Sequence, residues 1–129
     1  MGKRVLFILI ACALLSQLLG FTKRRRVLRA EYLRLLTEAR ALLLQYSVRG
    51  WPDVLAKWER RAKFAPWTLL QYFARVTQRK LGGMGSLGDV VISGKGRSEE
   101  EANNQLLAIV GSLYAVTTKI VGPNGTQSV

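Results

Sequence analysis

The sequence predicts an all-α protein: an N-terminal transmembrane helix followed by a small helical bundle that carries a glycine-rich loop. Three observations lead there. An uninterrupted apolar run occupies residues 5 to 22, apolar residues recur at steps of three and four through the segments behind it, and Gly82, Gly83, Gly85 and Gly88 crowd one connection. The expected domains are an anchor over 1–22, a helical domain over 23–121 and a flexible tail over 122–129.

The apolar run, Val5 to Thr22, would rise ~27 Å as a helix, close to the ~30 Å thickness of bilayer hydrocarbon. Lys3 and Arg4 precede it and Lys23, Arg24, Arg25 and Arg26 follow. Two cleavable signals share some of its letters. Ala11-Cys12-Ala13 supplies the small residues of a peptidase site, and Leu9-Ile10-Ala11-Cys12 has the letters of a lipoprotein site. In both cases too few apolar residues come before the site and too many come after it, so an uncleaved anchor is expected. The excess of Lys/Arg on the C-terminal flank orients the domain toward the cytoplasm of a single-pass protein in the inner (cell) membrane. Ser16 and Gln17 inside the run could bond to a partner helix or reach interfacial water.

Behind the anchor, Leu28, Tyr32, Leu35, Ala39, Leu42 and Tyr46 alternate steps of four and three, widened by Leu36 and Leu43. This predicts an amphipathic helix from Arg24 to about Tyr46, running on from the anchor and facing a core. Ser47 to Gly50 breaks it. Pro52 and Asp53 suit the first turn of a second helix, with Trp51, Val54, Leu55, Trp58 and Ala62 inward and Lys57, Arg60, Arg61 and Lys63 outward. Ala65-Pro66 forces a boundary. A third helix is expected from Pro66 to about Lys80 with Leu69, Leu70, Phe73 and Val76 as its core face. Val90 to Ile92 reads as a short extended or buried segment. Ser98 as N-cap with Glu101 three residues on has the form of a capping box, and three glutamates sit at the positive end of the helix dipole. That last helix carries the stripe Ala102, Leu106, Ile109, Leu113, Val116 and Ile120, and Gly122-Pro123 ends it.

Composition narrows the functional classes. The net charge is +12, and residues 23–80 hold fifteen Lys/Arg against four Asp/Glu. The basic half therefore adjoins the apolar run, which favours anionic lipid headgroups, with Lys23, Arg24, Arg25 and Arg26 as the contacts; a solvated surface is the plain alternative. Trp51, Trp58, Trp67, Tyr72 and Phe73 lie among basic residues, a pattern that also serves single-stranded nucleic acid. Their spacing fits core stripes, with a membrane interface or partner contact as the second reading, so nucleic acid is not the expected partner. The chain has no histidine, and its one cysteine, Cys12, lies within the apolar run. No pair of acids has a spacing that implies acid–base work, so no enzymatic activity, cofactor or metal is expected. The glycine-rich loop is the one candidate contact site for a protein partner or ligand, through Gly82, Gly83, Met84, Gly85, Ser86 and Asp89. It lacks the Gly-Lys-Ser/Thr of a phosphate loop, and a structural turn with Ser86 or Asp89 capping backbone groups competes with the site reading.

The string Gly82-Gly-Met-Gly-Ser-Leu-Gly-Asp-Val-Val91 resembles the central signature of a bacterial domain family without assigned activity, which reads roughly Gly-Gly-Met-Gly-Ser-Leu-Asn-Asp-Leu-Val. The likeness covers about residues 30–121. It implies a small helical domain, with the anchor as an addition and Gly88 in the place of the family's Asn. It implies no activity. Together these features suggest a membrane-anchored, non-enzymatic interaction domain. Its size and architecture would also suit an immunity factor whose partner is a toxin, and a membrane-tethered nucleic-acid module is the alternative.

Overall fold

The first helix, α1, runs without interruption from Gly2 to Gln45 in the computed structural model. Three more follow: α2 (Trp51–Phe64), α3 (Trp67–Leu81) and α4 (Arg97–Val121), with a single 3₁₀ turn at Leu87–Asp89. The structure describes residues 2–82, 85–92 and 97–122, without the side chains of Leu18, Leu19, Phe21, Arg97 and Ser98. Among the described residues every element is helical.

At 1.5 Å per residue α1 is ~66 Å long, and its buried side chains begin at Tyr32, with Arg25 and Leu28 half-buried before it. It has no Gly or Pro between Gly20 and Gln45, so nothing interrupts the ladder where the apolar run gives way to the domain. The apolar run and the domain therefore share one continuous helix, with no linker at residue 22. The helix ends in a Schellman arrangement. Ser47 takes φ 57°, its N–H donates to Leu44 O at 3.1 Å, and Val48 N–H reaches back to Leu43 O at 2.9 Å.

The connections after α1 and α2 are short, residues 46–50 and 65–66, and the one before α4 is longer, residues 82–96. Helix α1 packs against α2 and α4, and α3 packs against α4; α2 and α3 barely meet. The core gathers Tyr32, Leu35, Leu36, Ala39, Leu42 and Leu43 from α1 with the whole expected stripe of α4 from Ala102 to Ile120. Each large side chain buried there contributes roughly 1.5–3 kcal/mol of transfer free energy. Buried hydroxyls are satisfied. Tyr32 and Thr77 hydrogen-bond across the bundle at 2.5 Å, and Thr117 donates to Leu113 O at 2.7 Å.

Two expected faces are corrected. On α3 the buried residues are Leu70, Ala74, Thr77 and Leu81, while Leu69 is 43% exposed and Phe73 and Val76 are half-buried. The face is rotated because α3 lies on α4 and leaves its side toward α2 open. On α2 only Leu55 and Ala62 of the expected residues are buried, together with Pro52; Val54 is exposed and Trp51 and Trp58 are half-buried. Trp51 and Trp58 still pack against the core, and against each other edge to face at 6.0 Å. The described part of α4 begins at Arg97, and the side chain of the expected cap Ser98 lies outside the described residues. Gly122 closes α4 at φ 80°, donating to Thr118 O; Pro123 and the expected tail lie outside the described residues.

Candidate functional site

Three places were open to a function: the apolar end of α1 with its basic collar, the glycine-rich connection, and the seam between α2 and α3. In the first, side chains from Val5 to Leu15 stand exposed with nothing packed on them, Phe7 to 78%. Helix α1 and residues 99–121 of α4 are both long and apolar enough to cross a membrane, but only α1 has its apolar window wholly uncovered. The apolar stripe of α4 is spent in the core.

Four consecutive residues at 100° per residue cover a full helical turn, so Lys23, Arg24, Arg25 and Arg26 form a collar around α1. Lys23, Arg24 and Arg26 are exposed. Arg25 faces the bundle, its guanidinium 5.0 Å from the centre of the Trp67 ring. One turn on, Arg29 Nη1 donates to the carbonyls of Ala62 at 2.9 Å and Lys63 at 3.3 Å. These belong to the end of α2, where intrahelical donors run out, so Arg29 satisfies carbonyls that would otherwise lack partners. Acids do little to offset the collar. Glu31 and Glu38 are bound by Arg34, and Glu59 meets Arg40 at 3.0 Å. The hydrogen bond from Arg34 holds the Glu31 carboxyl below its usual range.

The glycine-rich connection sits at the opposite end of the bundle from the apolar run. Ser86 and Leu87 are buried, and the 3₁₀ turn packs on α3 and α4. Asp89 Oδ2 accepts the Gly85 N–H at 3.1 Å, and Gly85 takes φ 73°. Asp89 thus caps a backbone group of its own turn, the structural role that competes with the site reading. A Cβ at Gly88 would stand 2.4 Å from Leu81 O, so this packing has no room for an Asn there. Asn103 of α4 then clamps Ile92 from both sides of its peptide, accepting its N–H at 2.7 Å and donating to its carbonyl at 2.9 Å. Sequence reasoning missed Asn103, because a lone Asn inside a helix gives no signal of the peptide it will hold. Gly83 and Met84 lie outside the described residues.

The seam between α2 and α3 holds a cleft of about 130 Å³ lined by Tyr32, Trp58, Arg61, Tyr72, Phe73 and Thr77. That is well below the ~300 Å³ at which small-molecule pockets begin. Burial pushes the Tyr32 hydroxyl at its floor up to about 12, so it stays a neutral hydrogen-bonding group. Among the described residues no three acidic or thiol side chains gather closely enough to share a metal ion.

Comparison with known proteins adds no relative: no family model, no curated protein and no solved structure matches this chain.

Proposed function

We propose that this chain is a membrane-anchored, non-enzymatic interaction domain. The first half of α1 spans the inner (cell) membrane once, and the bundle stands in the cytoplasm. The observation that carries the reading is the exposure of Val5 to Leu15 on a helix that continues unbroken into a well-packed bundle. So large an apolar surface is stable only when something other than water covers it. The collar favours the same arrangement, since Lys and Arg concentrate on the cytoplasmic flank and near anionic headgroups.

Two surfaces suit a protein partner. One is the end of the bundle that bears Gly85, Asp89 and the exposed Val91. The other is the outer face of α4, where Leu107, Gly111 and Tyr114 recur at steps of four and three and are all exposed. The resemblance of residues 82–91 to a domain signature without assigned activity belongs to this reading, as does a role as an immunity factor.

The test is fractionation combined with protease protection of intact cells and inverted vesicles. The domain should sediment with membranes and be digested only in inverted vesicles. Recovery in the soluble fraction, or digestion in intact cells, would overturn the reading. A second reading, a tethered nucleic-acid module, is favoured by the exposed Tyr72 beside Arg61 and Trp58 at the seam. It requires binding of single-stranded DNA or RNA that weakens steeply with salt.

A further inference from the structure

Phe64 is 84% exposed, the most exposed aromatic in the domain. It ends α2, and the turn it begins carries Pro66 and Trp67 into α3. The contacts of Arg25 and Arg29 set the height of this turn along α1. Trp67 lies under Arg25, three residues past Thr22, and Ala62 and Lys63 lie at the reach of Arg29. Three residues of helix rise only ~4.5 Å. The polar layer on each face of a bilayer is about 5–7 Å deep. Seven residues, as far as Arg29, rise ~10.5 Å, so with residues 5–22 across the hydrocarbon Trp67 lies within that layer and the last turn of α2 at its outer edge.

Its chemistry suits the place. Lys63 Nζ lies 5.5 Å from the centre of the Phe64 ring, an aliphatic stem and ammonium over an aromatic face. Arg60 and Arg61 are exposed one turn earlier, and Leu69 is 43% exposed one turn later. A Trp, a neighbouring exposed Phe and cations beside them make up the composition of interfacial contact segments.

We infer that the α2–α3 turn is a second membrane contact: a foot in which Phe64 enters the headgroup boundary of an anionic bilayer while Lys63 and Arg60 meet the headgroups. The inference rests on the anchored reading and adds to it. Because α1 is continuous, the anchor alone leaves only the tilt and rotation of the whole unit free, whereas anchor and foot together hold it at one angle and present the same outer faces to the cytoplasm.

The test uses the full chain with Cys12→Ser, which removes the only native thiol. An environment-sensitive fluorophore is attached to a single cysteine at Thr68, Arg49 or Leu14, all exposed positions. The protein is placed in vesicles of phosphatidylcholine and phosphatidylglycerol carrying shallow or deep nitroxide lipids. The expected result is deep quenching at Leu14, several-fold stronger shallow quenching at Thr68 than at Arg49, and loss of the Thr68 excess in Phe64→Asp with helicity unchanged. Quenching at Leu14 with Thr68 no different from Arg49 overturns the foot and leaves the anchor. A Thr68 excess that survives Phe64→Asp overturns the assignment to Phe64. Absence of quenching at Leu14 overturns the anchor and the foot together.

Discussion

Replacing Gly88 with alanine probes whether the glycine-rich connection is built for packing or for a ligand. Gly88 lies in the 3₁₀ turn, and its Cα faces the last carbonyl of α3. An alanine Cβ would lie 2.4 Å from Leu81 O, about 1 Å inside ordinary contact. The obstructing atom is backbone at the end of a helix whose final residue is itself buried, so it cannot rotate aside. The turn must move instead, and Leu87, fully buried on the same turn, must move with it. Overpacking of this kind costs about 1–3 kcal/mol. For a domain of this size 2 kcal/mol lowers Tm by on the order of 10 °C. Two neighbours act as internal controls. Gly85 has open space but φ 73°, so Gly85→Ala should cost about 1 kcal/mol. Gly82 has open space and φ −125°, so Gly82→Ala should be neutral or stabilising by up to about 1 kcal/mol. Thermal melts of the full chain in one detergent, followed by helical circular dichroism, give the order. If Gly88→Ala melts with or above Gly82→Ala, the close approach to Leu81 is wrong and the connection is free to serve another purpose.

Other expectations follow from single contacts. Asn103→Ala strips both partners from the buried Ile92 peptide and should cost about 1–3 kcal/mol, read from the shift in denaturant midpoint. Ser47→Gly relieves a left-handed non-glycine residue and should raise Tm; an unchanged or lower Tm would contradict the Schellman closure of α1. Tyr32 supplies a pH test. Burial raises its folded pKa to about 12, above the ordinary tyrosine value of about 10, so the unfolded chain releases that proton first. Its contribution is complete below pH ~10 and is lost as pH rises toward ~12, on the order of 1–3 kcal/mol in all. Alkaline titration of stability should therefore fall less steeply through this window in Tyr32→Phe than in the parent chain. Leu43→Ala, at a fully buried site, should cost about 2–5 kcal/mol in equilibrium unfolding.

What the sequence determined by itself was written at short range. The apolar run and its flanking cations are contiguous letters, and the stripes of α1 and α4 are strong because one side of each helix meets a core along most of its domain length. The breaks at Ser47–Gly50, Ala65-Pro66 and Gly122 are local backbone chemistry and stand where they were expected. The tertiary structure decided which face of a weaker stripe turns inward. On α3 both Leu69-Phe73-Val76 and Leu70-Ala74-Thr77 are available, and the second is buried because α3 packs on α4 and scarcely on α2. It also redistributed the collar. Lys23, Arg24, Arg25 and Arg26 are alike as letters, but Arg25 is drawn over Trp67 because the α2–α3 turn returns to the base of α1. That same return, a long-range contact with no signature along the chain, sets the residues on either side of Phe64 against Arg25 and Arg29.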